Sequence, residues 1–269
     1  AHVVAFYNVE NLFDTINSPA TADEDMLPLA DRQWTTEKYK SKLKNISTAI
    51  AGIASQHDYP TLMGLAEVEN RNVLEDLVAE PALAPATYAI CHYDSPDERG
   101  IDVALLYQKD KFTPLASRPI PVNLPNGQRG RDLLYTCGAL TDSTLLHIIQ
   151  VHFPSRREGA LTSEPNRIAA AKVVRKAIEE IQAVDSQAAI IIMGDFNDNP
   201  SDKVPTTTLS ALPYTSGPFD DLQLYNLCWD GSPFEDKEIG SYFHNGEWDM
   251  LDQIIVSGVL LNGNLSVRV

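Results

Sequence analysis

Seven short apolar runs constrain this chain most: His2–Tyr7, Leu62–Ala66, Val103–Tyr107, Leu133–Leu140, Leu145–Val151, Ala189–Met193 and Gln253–Ser257. Each has the length of a strand, and several are rich in Val, Ile and Tyr, which suit a pleated surface. Two helical patterns lie between them. Lys38–Ala54 places Leu43, Ile46, Ile50 and Ile53 on one stripe behind Thr35 or Thr36 as N-cap. Asn166–Ala183 repeats the pattern with Ile168, Val174, Ile178 and Ile181, and Ser163 and Pro165 read as its start signals. The runs around Leu133–Val151 have no helix between them, so hairpins are expected and a purely parallel sheet is excluded. Mixed sheets packed on one another with helices outside satisfy the pattern. No repeat or low-complexity linker interrupts it, and one domain over residues 1–269 is expected.

Composition narrows the class. The chain is 43% hydrophobic, enough for a full core, and its 21 Lys+Arg against 37 Asp+Glu leave a net charge of −16. Such a surface repels polyanions, and no basic stripe marks a general nucleic-acid binder. Cys91, Cys137 and Cys228 are far apart with no Cys/His spacing, which argues against structural zinc or a disulfide framework. No apolar run approaches the length of a membrane helix, and the N-terminus carries no leader. The expectation is a soluble monomer, either cytoplasmic or exported after loss of a signal peptide.

Polar residues stand where the apolar runs stop. Asn8 and Glu10 follow the first, Glu67 the second and His152 the fifth. Asp195 and Asn197 follow Ala189–Met193, and Asp252 abuts the last. A single acidic residue at a strand end is more often a turn residue. A repeated set is different: rigid strands can hold such groups at one sheet edge within the tolerance that catalysis requires.

The segments around these residues carry a family resemblance. Phe6-Tyr7-Asn8-Val9-Glu10-Asn11-Leu12-Phe13-Asp14 resembles the opening motif of the endonuclease/exonuclease/phosphatase superfamily, and Gly64-Leu65-Ala66-Glu67-Val68-Glu69-Asn70 its metal-binding glutamate motif. Val151-His152-Phe153-Pro154-Ser155-Arg156, Gly194-Asp195-Phe196-Asn197 and Leu251-Asp252-Gln253-Ile254-Ile255-Val256-Ser257 are similar to three further motifs, in family order. The resemblance implies an α/β fold of the DNase I-like kind, a four-layered sandwich of two packed mixed β-sheets flanked by helices. It implies hydrolysis of a phosphate ester with Mg²⁺, or alternatively Mn²⁺. Glu67 would be the principal metal ligand, with Asn8 and Glu10 beside it. Asp195 would position or deprotonate the attacking water, Asn197 and His152 would hold phosphoryl oxygens, and Asp252 would orient a second histidine.

Magnesium keeps several waters and needs only one or two protein carboxylates, so this sparse oxygen set suits it. Family members usually close on a Ser-Asp-His segment after the Asp252 motif, and none lies between Asp252 and Val269. A C-terminal piece carrying it is therefore expected, and the polypeptide without it should be weakly active or inactive.

Other residues are candidates by position. Arg156, directly after the histidine motif, and Asn166 and Arg167, at a helix start, are expected phosphate contacts. Asp102 is expected behind His152, fixing its tautomer, with Arg99 nearby. Arg129-Gly130-Arg131 reads as a solvated hairpin tip or an anion-binding loop. His2, His57, His92 and His147 have no matched partners. Trp34, Trp229 and Trp248 are cleft or packing residues. The net charge favours a small phosphorylated substrate over nucleic acid; a nuclease is the alternative within the superfamily, and a catalytically inactive binding relative the alternative outside it.

Overall fold

The computed structural model describes residues 1–53, 55–232 and 239–262. In chain order the strands and helices are β1 (Val4–Leu12), α1 (Thr36–Gly52), β2 (Leu62–Val68), α2 (Arg71–Ala79), β3 (Tyr88–His92) and β4 (Asp102–Gln108). Then follow β5 (Phe112–Ile120), β6 (Leu133–Leu140), β7 (Leu145–His152), α3 (Ala160–Val184) and β8 (Ala189–Asp195). The last five are β9 (Ala211–Pro213), β10 (Leu224–Asn226), β11 (Tyr242–His244), β12 (Glu247–Asp249) and β13 (Asp252–Ser257). One sheet has the order β1-β2-β4-β3 and the second β5-β6-β7-β8-β13-β10-β9, while β11 and β12 form a separate hairpin. Both large sheets are mixed: β1–β2 and β7–β8 are parallel, and β6–β7 is the expected hairpin pair.

Three apolar clusters separate four layers. Leu43, Ile46 and Ile50 of α1 and Leu74 and Leu77 of α2 pack on Met63, Leu65, Ala104 and Leu106 of the four-stranded sheet. Leu62, Ala66, Val103 and Leu105 meet Leu146, Ile148, Ile191 and Met193 between the sheets. Ala170, Val174 and Ile178 of α3 cover Ile149, Ile190 and Ile192 on the far face. The alternation along β2 and β8 sends neighbouring residues to opposite faces, so each strand feeds two of these clusters. The result is the expected four-layered sandwich.

The helix ends differ from the sequence reading in instructive ways. Thr35 caps α1, accepting from the Lys38 N–H at 3.4 Å; the expected end, Ala54, lies outside the described residues. α3 starts at Ala160 rather than Asn166, with Gly159 as N-cap and Pro165 inside it. Proline removes one ladder donor, and the first turns are instead tied by side chains. Ser163 Oγ donates to the Gly159 carbonyl at 2.7 Å, and Arg167 Nη2 donates to the Ala160 carbonyl at 2.7 Å.

Candidate active site

Strand register builds the site. β7, β8 and β13 are neighbours, with His152 opposite Asp195 and Asp195 opposite Asp252. Three side chains expected to act together thus come from one row across the sheet, each one strand spacing from the next. From the other sheet come Asn8 and Glu67. Met63 and Leu65 point to the helical layer while Leu62 and Ala66 point between the sheets, so simple alternation would send Glu67 outward. A register shift between Ala66 and Val68, with Glu67 at φ +64°, prevents this. The bulge absorbs one residue: Val68 returns to the helical layer and Glu67 reaches the cleft. β1 has a similar irregularity after Asn8, where Glu10 and Asn11 take φ of +54° and +61°.

The two halves touch through Asn8. Its amide nitrogen donates to Asp195 Oδ2 at 3.0 Å and lies 3.4 Å from Glu67 Oε1, while its carbonyl accepts from the Glu10 N–H at 2.9 Å. His152 Nε2 is 3.7 Å from Asp195 Oδ2 and 3.9 Å from Glu67 Oε1. The Asn197 N–H donates to Asp195 Oδ1 at 2.9 Å, and its side-chain nitrogen donates to the Phe153 carbonyl at 2.9 Å. Ser241 Oγ accepts from the Leu251 and Asp252 N–H groups and so fixes the start of β13. Asn8, Glu67, His152, Asp195, Asn197, Asp252 and Glu10 all line one open cleft of about 1520 Å³.

Burial sets the electrostatics. It lowers the His152 imidazole well below its ordinary range, with Arg131 and Arg99 adding to the effect, so the ring is neutral at pH 7. It raises Asp195, opposed by the Asn197 N–H and the Asn8 amide and reinforced by Glu67. Asp252 is raised as well, by burial first and by the Asp195 carboxylate second. Asp252 Oδ1 and His152 Nδ1 are buried without hydrogen-bond partners.

Three expectations fail here. Asp102 does not stand behind His152: its Oδ2 is 3.0 Å from His92 Nε2 and its Oδ1 accepts from the Ser95 N–H. It shares the strand face of Ala104, which points to the helical layer, and so meets His92 of the adjacent strand rather than the cleft. Arg167 cannot contact a phosphate. It is 1% exposed and its Nε lies 2.9 Å from Asp198 Oδ2 beneath α3. Asn166 is not among the cleft residues, because the helix begins a turn and a half before it and carries it away from the edge. Of the other histidines without a partner in the sequence, His147 Nδ1 is hydrogen-bonded to the Tyr135 hydroxyl at 2.8 Å and His2 Nδ1 lies 3.3 Å from the Thr61 hydroxyl.

Arg99 and Arg156 do reach the cleft, Arg156 Nη2 pairing with Asp249 Oδ2 at 2.7 Å and Arg99 hydrogen-bonded to the Asn11 side chain. Arg131 of the Arg129-Gly130-Arg131 segment reaches it too, and the structure adds Arg157, Lys38 and Lys42. Arg131 is no solvated tip. It donates to the His152 and Phe153 carbonyls at 3.1 and 2.9 Å and pairs with Asp97 at 2.8 Å, which locks the strand end that carries His152. Six cations therefore face one cleft in a chain of net charge −16. No sequence stripe announces them, because four different segments supply them. Trp34 also lines the cleft, whereas Trp248 lies on the exposed β11–β12 hairpin.

Comparisons with known proteins agree with this architecture. A sequence profile of the endonuclease/exonuclease/phosphatase family matches residues 3–268. Among curated protein sequences none matches the chain. Among solved structures, the human Nocturnin catalytic domain with bound sulfate superposes with a TM-score of 0.55 at 16% identity, covering 80% of this chain and 75% of that one. TDP2 of D. rerio, complexed with single strand DNA product, gives 0.55 at 17% identity over 95% of this chain and 82% of that one. A Bacteroides thetaiotaomicron mannosyl-6-phosphatase gives 0.52 at 15% identity over 95% and 84%. At these identities the likeness concerns the fold.

Proposed function

We propose that this chain, which belongs to the endonuclease/exonuclease/phosphatase family, hydrolyses a phosphate ester by water attack at phosphorus with the help of a divalent cation. One observation carries the reading: side chains from five strands of two sheets converge on one cleft that six cations also line. The residues suit a hard metal. Glu67, Asp195 and Asp252 crowd together, and among the described residues no lysine or arginine pairs with any of them. Such mutual repulsion is relieved by a dication held by oxygen donors, and among the described residues no group of Cys and His that would favour a softer ion gathers around these acids. Glu67 would hold Mg²⁺ or Mn²⁺, with Asn8 and Glu10 beside it. When bound, the cation draws negative charge from the phosphoryl oxygens and stabilises the departing oxygen.

The protein groups divide the remaining work. Asp195, made more basic by burial, orients the water and accepts its proton. Asn197 and neutral His152 hold phosphoryl oxygens by hydrogen bonding, and Arg156 and Arg99 offset charge at the rim. The unpartnered Asp252 Oδ1 suits an acceptor for the N–H of a further histidine. A nuclease reading is favoured by the cationic lining, a small-substrate reading by the acidic remainder of the surface.

A panel of phosphate mono- and diesters assayed with Mg²⁺ and Mn²⁺ on the full-length protein tests the proposal. Chelation should abolish turnover. Glu67→Gln should lower it by at least about a hundredfold at limiting metal, and Asp195→Asn should lower it further with metal affinity less changed. Wild-type activity of Glu67→Gln at limiting metal would refute the ligand assignment.

A further inference from the structure

The cleft wall formed by α1 has no task in the chemistry above. Lys38, Lys42 and Asn45 line it along the helix, with Trp34 just before the helix start. Lys38 and Lys42 are an i, i+4 pair of like charge, an arrangement that weakens a helix by a few tenths of a kcal/mol and so needs a compensating role. Neither is ion-paired to a carboxylate among the described residues. The Lys38 ammonium donates to the Arg32 carbonyl at 2.8 Å and that of Lys42 to the Glu10 carbonyl at 2.7 Å. An ammonium has three donors, so each keeps N–H groups for a ligand while its stem is held against the wall. The bond to the Glu10 carbonyl holds Lys42 at the same cleft lining as Glu10 and Glu67, beside the reaction centre. Lys38 lies about 6 Å further out along the helix.

We propose that Lys38 and Lys42 form a subsite for a second anionic group of the substrate, a phosphate beyond the one attacked. The inference rests on the cleft being a phosphoester site. It deepens that reading to a substrate class, esters that carry two or more phosphates. The arginines of the opposite lining serve the reacting phosphate and the α1 lysines the second one. The volume agrees: about 1520 Å³ exceeds the roughly 300–1,000 Å³ of an ordinary small-ligand pocket and leaves room beyond a single phosphate.

Two measurements on the full-length protein test it. Isothermal calorimetry without added metal compares propane-1,3-bisphosphonate with propylphosphonate, and Mg²⁺-dependent turnover compares a bisphosphate ester with its monophosphate counterpart. The wild type should prefer the bisphosphorylated member of each pair. Lys38→Gln with Lys42→Gln should cut that preference by about tenfold or more, and Lys38→Arg with Lys42→Arg should restore it. Because Lys42 also steadies the β1 irregularity, Lys38→Gln alone provides a variant that leaves that contact in place and should show part of the loss. A pentanucleotide arm identifies the source of the anion: a salt slope flattened by the lysine substitutions assigns the subsite to a phosphodiester strand, and a lysine effect confined to the bisphosphonate assigns it to a small molecule. Preference ratios unchanged by the substitutions in every arm would overturn the subsite while metal-dependent turnover still stood. Lysine-dependent bisphosphonate binding with no turnover of any ester would retain the subsite and sink the hydrolase.

Discussion

Among the described residues Arg167 is the largest side chain that the fold encloses, and it lies against Asp198. Burial raises Asp198 to about 6, with Arg167 pulling in the other direction, so the carboxylate depends on its partner for its charge at neutral pH. Removing one member of such a pair strands the other. Arg167→Met is expected to cost about 3–5 kcal/mol and to lower Tm by roughly 10 °C, with Asp198→Asn in the same chain recovering part of the loss. Equal melting of Arg167→Met and wild type would show that the pair contributes nothing. The same residue marks the boundary of what a linear sequence discloses. His152, Asp195 and Asp252 were legible because short side chains at strand ends have little choice of direction, whereas Glu67 was legible only from the motif around it, since a bulge turns it into the cleft. A long, flexible arginine points wherever its tertiary neighbours hold it. Arg167 therefore turned inward with no local signal for it, and the Arg129-Gly130-Arg131 segment, open to both a solvated tip and an anion-binding loop, left the place of Arg131 undecided.

At the scale of elements, the site depends on where strands stop alternating. Gly194 stands next to Asp195 because β7 passes too closely for any side chain: a Cβ there would lie 2.0 Å from the Val151 carbonyl oxygen. Gly194→Ala must push β7 and β8 apart at the point where His152 faces Asp195. Turnover is expected to fall by about a hundredfold or more, as displacement of reacting groups by about 1 Å can do, and Tm should fall with it. Gly52→Ala is the control, since a methyl there meets nothing within 4 Å. Near-wild-type turnover of Gly194→Ala would show that the register is not essential. The longer strands were readable from their apolar runs. The β1 and β2 irregularities were not, because a bulge is specified by packing on both faces rather than by a residue type. β5, with Pro114 and Pro119 and several exposed positions, offered no apolar run to read.

For the whole molecule, charge is divided unevenly: an acidic exterior surrounds a cleft where six cations stand beside five carboxylates. Net charge gives no hint of this, because it sums over residues that the fold separates. Screening should therefore act with opposite signs on folding and on binding. Raising NaCl from about 10 mM to about 150 mM shortens the screening length from about 30 Å to about 8 Å. Tm should rise as self-repulsion is relaxed, while Kd for a phosphate ester should weaken. Parallel movement of the two quantities would contradict the division; both follow from melting curves and calorimetry across a salt series. The Asn8 amide adds a mechanical consequence. It is a single stitch between acids that belong to different slabs of the sandwich, so any breathing of the slabs changes first the gap between Glu67 and Asp195. The close packing of Gly64 against Gln150 and Met193 in the interior then sets how far that gap can wander, and the chemistry at the rim inherits its tolerance from an amide and a methyl group buried between the sheets.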